Sequence, residues 1–295
     1  MMPVSVVETD KIRHQVQELT ELPAASPLVT SLLEAVGNDD ITIREFAALI
    51  RQEPSLVARI IGLSNSAYFG HSEPITSVED AIFKSLGLQL AKSLALSIAL
   101  VGSLDKQPKA RCFDLYRFWS TSVLSATLAR MLSSHVKSVP RPSSDDAYLA
   151  GMLHNFGMLP LAFLYPEVTD TVCQATASDE EFAGRMRESL GTDQYELGTL
   201  LARKWQIPDQ VVAVIGHVDD HRYDGAHQPL VRLLHGVTRV VHALQTGSDA
   251  GLAAVEPGFE PLCELGIDEP RIRNSIESLH RKQADLDAMA RILAG

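Results

Sequence analysis

Apolar residues recur along this chain at three- and four-residue steps, and almost no segment alternates apolar with polar positions. The pattern therefore predicts an all-α protein. Leu28, Leu32, Leu33 and Val36 form one stripe, which Gly37-Asn38-Asp39 ends. Thr42-Ile43-Arg44-Glu45 is a capping box, in which hydroxyl and carboxylate each bond the other residue's backbone N–H, and it predicts a helix through Arg51. Pro54 suits a first helical position and opens the next helix, whose buried face is Leu56, Ile60, Ile61 and Leu63, up to SNSAYFG at 64–70. A second cap at Ser77 starts Ala81 to Leu86, and Gly87 separates this from an apolar helix running to about Val101.

The polar, proline-bearing stretch LDKQPKARC at 104–112 reads as a link between subdomains. A long helix from about Phe113 to Leu132 and a loop at 133–146 follow, then helices at about 146–164, 167–176, 179–189, 193–204, 208–218 and 229–245, the last after a turn at 222–228. In the tail, beyond the N-cap candidate Asp268, Ile272, Ile276, Leu279, Leu286, Ala290 and Leu293 fall on alternating four- and three-residue steps interrupted by Gln283. Such a stripe serves either a homodimer through the C-terminal helix or packing on the chain's own domain, and the polar interruption favours the second.

With 295 residues, 45% of them apolar, the chain can bury a continuous core. The 26 basic and 37 acidic residues give a net charge of −11 without any Lys/Arg cluster, which argues against nucleic acid as a main partner and against a transcriptional or RNA-binding regulator. Cys112, Cys173 and Cys263 are odd in number, far apart in sequence and outside any CxxC pair, so neither a disulfide framework nor a zinc knuckle is expected, and a reducing, cytoplasmic location is. The N-terminus lacks a secretory apolar core, and SLALSIALVGSL at 93–104 is too short to span a membrane and reads as a buried helix. No phosphate-cradling Gly-x-x-x-x-Gly-Lys loop and no Gly-x-Ser-x-Gly elbow occurs.

Candidate chemistry centres on GMLHNFGML at 151–159. A His-Asp doublet at a bend can place imidazole and carboxylate on one metal ion, but here His154 is followed by Asn155, a neutral and much weaker ligand. The plain alternative for His154 is a hydrogen bond to a backbone carbonyl or a neighbouring side chain. His217 and His221 would share a helical face, with Asp219 and Asp220 nearby, as ligands or a pocket rim; a solvated helix end is the simpler reading. In SNSAYFG, Asn65 and Ser66 can bond free backbone groups at a helix end, Tyr68 and Phe69 can anchor the loop and Gly70 permits positive φ, while an exposed Tyr68 would make the stretch a contact surface. Trp119 and Trp205 read as core anchors.

SNSAYFG, followed by Pro74-Ile75-Thr76-Ser77, Ala81-Ile82 and Leu86-Gly87, closely resembles the N-terminal signature of HDOD domains, bacterial regulatory modules related to the HD phosphohydrolases. Residues 21–36, 43–61, 118–129, 148–159 and 204–217 resemble further segments of that family in the same order, so the likeness runs from about Glu21 to about Leu244. The resemblance implies an N-terminal multi-helix subdomain (21–104) packed on an HD-like helical subdomain (105–245), flanked by an extension at 1–20 and a C-terminal helical extension at 246–295. Active HD enzymes hold metal through a His, a His-Asp doublet and a later Asp; on this sequence those positions fall at Thr121, His154-Asn155 and Thr238, and Met158 replaces a Lys common after the doublet.

One imidazole without carboxylates binds a catalytic ion too weakly to activate water. The expectation is a non-enzymatic signalling protein without metal or cofactor, whose degenerate pocket holds a small ligand or is filled, and whose partners are proteins of a cyclic-dinucleotide or two-component network, with no membrane. The alternative is a metal-dependent phosphohydrolase of a nucleotide or cyclic dinucleotide that uses His154, His217 and His221.

Overall fold

Ser26 accepts the Val29 N–H at 3.3 Å and opens α1 (Pro27–Gly37), and the Thr42/Glu45 box is closed in both directions, at 2.8 and 3.3 Å, at the head of α2 (Ile43–Ile50). Pro54 stands in the first turn of α3 (Pro54–Ser64). Ser77 caps a single turn, Val78–Asp80, that continues as a π-helical turn, Ala81–Leu86; together these are α4, and Gly87 leaves it at φ 74° to begin α5 (Leu88–Leu104). These elements belong to a computed structural model that describes residues 24–71, 73–104, 110–175, 179–246 and 258–295, with no strand among the described residues. The predicted extension at 1–20, most of the link at 104–112 and the start of the extension at 246–295 lie outside them.

The second half comprises α6 (Leu115–Ser133), α7 (Ser144–Leu153), α8 (Met158–Leu164), α9 (Pro166–Ala175), α10 (Asp179–Leu190), α11 (Gln194–Lys204), α12 (Asp209–His217) and α13 (Gln228–Thr246). The helix expected at 146–164 is thus two helices with a turn at 154–157 between them. Pro160 is the reason: in a continuous helix it would lack the N–H for the Phe156 carbonyl and its ring would press on that oxygen, whereas in the first turn of α8 it is tolerated. Among the described residues this stretch, Ser144–Leu164, alone is long and apolar enough to cross a membrane, and 83% of its window is buried inside the fold.

Helices α6 and α7 form the central pair, and they approach so closely that a Cβ on Gly151 would collide with the backbone of Ala126. Helix α5 packs on α7 and joins the first five helices to this pair; its Lys92 is buried, with its ammonium donating to the Asn38 carbonyl beyond α1 at 2.8 Å. The tail folds as α14 (Phe259–Glu264), α15 (Glu269–Arg281) and α16 (Gln283–Ala294), breaking at Lys282 beside the predicted interruption. Helix α16 lies on both α6 and α3, so all six residues of the tail stripe are no more than 2% exposed within the chain's own core. Trp119 and Trp205 are buried as well.

Candidate functional site

The turn at 154–157, α6 and α13 surround a cavity of about 430 Å³ whose lining includes Thr121, His154, Asn155 and Thr238, four positions spread over more than a hundred residues of sequence. Each of the four is engaged by the protein. His154 Nδ1 is 2.7 Å from the Gly151 carbonyl, so one ring nitrogen is held by the backbone of α7. Asn155 accepts from the Ser122 hydroxyl at 3.1 Å and donates to the Phe118 carbonyl at 3.3 Å, which ties the turn to α6. Thr121 donates to Gln245 Oε1 at 3.0 Å, and Thr238 donates back to the His235 carbonyl in its own helix at 3.0 Å.

The remaining wall is mixed. Phe113, Phe118 and Phe182 supply apolar surface; Arg117, Asp114, Asp219 and His242 supply charge or titratable groups. Gln194, the first residue of α11, is 7% exposed and lines the same cavity, yet among the described residues its Oε1 has no hydrogen-bond partner. A buried carbonyl oxygen left without a donor is unfavourable, and a ligand N–H or O–H would satisfy it. The backbone oxygen of Gln194 also seats Gly157, where any Cβ would collide with it. The residue is legible in the sequence as a helix start, but nothing in its neighbourhood signals a place on the cavity.

His217 and His221 are elsewhere. Helix α12 ends at His217, so the two do not share a helical face: His217 is exposed and stacks on Tyr223 at 4.4 Å, while His221 is exposed and accepts from Arg222 at 3.1 Å. Neither lines the cavity, whereas Asp219 between them does. His235 is buried, with Nδ1 2.8 Å from the Val218 carbonyl, and burial lowers its pKa below the usual histidine value.

SNSAYFG closes the loop that follows α3 and meets the C-terminal tail. The Asn65 amide donates to the Ile61 and Ile75 carbonyls at 3.0 and 2.8 Å and accepts the Ile75 N–H at 2.8 Å, closing the loop onto α3; Gly70 has φ 65°. The Ser66 hydroxyl, expected to bond the helix end, is buried without a partner. Tyr68 is half-buried and meets Phe69 edge-on at 5.0 Å, with Lys282 of the tail 4.6 Å over its ring.

The sequence separation of the cysteines is also misleading. Cys112 and Cys173 both line the cavity, and the Cys112 sulfur lies 3.8 Å from the carbonyl of Thr169, one turn before Cys173; burial, then Cys173 and Asp170, push the Cys112 thiol well above the usual cysteine range. Cys112 and Cys263 are both exposed and Cys173 is half-buried, but Cys263 does not line the cavity.

Against known families, the model of the HDOD domain matches residues 22–221. The chain belongs to the HDOD family. Among solved HDOD-like folds, one from Marinobacter aquaeolei VT8, provisionally named a signal transduction protein, superposes with a TM-score of 0.77 at 24% identity over 98% of this chain and 66% of that one. An HDOD domain protein of unknown function from Geobacter sulfurreducens gives 0.75 at 21% identity over 96% and 98%. A Shewanella amazonensis SB2B protein provisionally named a phosphohydrolase gives 0.74 at 23% identity over 96% and 97%. An uncharacterised protein of Treponema pallidum (strain Nichols) is 25% identical over 209 residues, 69% of this chain but 38% of the relative, so the HDOD chain spans well under half of that protein's length.

The HD relatives' metal pair does not fit the residues present. Among the described residues no group of three or more His, Cys, Asp or Glu side chains converges to hold a metal ion. Thr121, His154, Asn155 and Thr238 offer one imidazole, one amide and two hydroxyls, without a carboxylate.

Proposed function

We propose that this HDOD protein is a non-catalytic regulatory module whose cavity binds a small polar ligand and whose helical surface passes the resulting state to protein partners. The observation that carries this reading is the engagement of Thr121, His154, Asn155 and Thr238 by protein groups, at 2.7 to 3.3 Å, around a cavity that the described residues leave open. A working metal site points its donors at the ion and supports them from behind. Here the side-chain atoms of Thr121, Asn155 and Thr238 themselves serve as internal struts, while the Nδ1 contact of His154 to a backbone carbonyl is one that a metal-bound imidazole also makes. The unpartnered Gln194 Oε1 supports a ligand that presents an N–H or O–H at that point.

Elemental analysis of the purified, untagged protein after equilibration with manganese, iron and zinc tests the non-catalytic half of the reading. Less than about a tenth of an equivalent of each is expected, since a working site loads close to stoichiometrically. Turnover of a nucleotide and cyclic-dinucleotide panel should stay at the level of the protein-free control. A metal held at one or more equivalents and lost in His154→Ala, or a metal-stimulated hydrolysis, overturns the proposal in favour of a phosphohydrolase.

A further inference from the structure

The segment from Ala110 to Asp114, which leads into α6, is fastened to α8 and α9 at several points. The Ala110 N–H donates to the Ala162 carbonyl at 2.8 Å, the Cys112 N–H donates to Asp170 Oδ1 at 2.8 Å, and the Cys112 sulfur lies 3.8 Å from the Thr169 carbonyl. Thr169, Asp170 and Cys173 occupy one turn of α9, so the same turn presents a second sulfur to Cys112. Asp170 is held below the usual carboxylate range by the N–H groups of Cys112 and Arg111, which keeps this clasp charged and fixed. Two thiols from segments about sixty residues apart thereby line the same cavity, with Cys112 fastened to the helical turn that carries Cys173.

We propose that Cys112 and Cys173 form a reversible oxidative crosslink, made by exchange with a low-molecular-weight disulfide. A thiolate from the pair attacks the oxidant's S–S bond, releases one thiol and leaves a mixed disulfide; the second cysteine displaces the other thiol. In balance, the two S–H bonds are lost, one protein S–S bond forms, and two electrons and two protons pass to the oxidant as two small thiols. Because both sulfurs line the cavity, the crosslink would fix one of its walls, a consequence for ligand access that rests on the cavity reading above.

The test is oxidation of the folded full chain with oxidised glutathione, followed by alkylation, non-reducing digestion and peptide mass spectrometry. The expected product links the Cys112 and Cys173 peptides at about 2 Da below their summed mass, disappears with dithiothreitol, and leaves Cys263 outside the link. The oxidised protein should melt on the order of 5 °C above the reduced one, and Cys112→Ser and Cys173→Ser should each abolish both the linked peptide and the shift. Mixed glutathione disulfides or alkylated thiols alone at both positions, or a link that appears only in urea, overturn the proposal. Since the crosslink is read by mass whatever the cavity holds, its failure leaves the ligand reading standing, and metal loading of the cavity would leave the crosslink standing.

Discussion

At position 155 an amide makes a pair of bonds that a carboxylate cannot: its nitrogen donates to the Phe118 carbonyl at 3.3 Å while its oxygen accepts from Ser122 at 3.1 Å. Restoring the family's acid there would put an oxygen against a carbonyl oxygen with no proton between them. Asn155→Asp is therefore expected to destabilise the fold by about 1–2 kcal/mol, read as a lower urea midpoint, without creating a stoichiometric metal site. An unchanged midpoint would mean that the Phe118 bond contributes nothing. The sequence makes the missing carboxylate plain at a glance. It could not show the compensation, because both partners come from α6, 33 and 37 residues earlier.

At the scale of elements, the junction of α7 and α8 places the cavity's key turn, and Gly157 makes the junction possible. Its Cα rests against the Gln194 carbonyl at the start of α11 and near Gly198, so a methyl group has nowhere to go without moving backbone. Gly157→Ala is expected to cost about 3 kcal/mol and to displace α11, visible as a loss in melting temperature together with altered amide protection across 194–204. A substitution tolerated within about 0.5 kcal/mol would show that the two segments can separate freely. The break itself was legible, since Pro160 forbids a helix continuous through Phe156, but apolar periodicity alone runs straight over it. Helix starts were read well from Ser, Thr and Pro because capping is local chemistry; the end of α12 at His217 depended on a turn that packs back toward α13, and it leaves His217 and His221 exposed without a common helical face.

At the scale of the whole molecule, the tail is a brace across both halves: Leu286 of α16 is 1% exposed in a helix that lies on α6 and α3. Leu286→Ala should destabilise the fold by about 3 kcal/mol, with a melting temperature that does not depend on protein concentration. A concentration-dependent midpoint would instead point to subunits sharing that stripe. What the sequence by itself determined were the features that local chemistry decides: the all-helical class from apolar spacing, the caps, and the family from motifs in order. The tertiary structure alone decided which partners those residues have, that α16 closes on its own chain, that Gln194 faces the cavity unpaired among the described residues, and that Cys112 and Cys173 line one cavity. The physical reason is range. Caps and periodicity act within a turn or two of helix, whereas a cavity is made by side chains from distant segments, and their meeting depends on the packing of every helix between them.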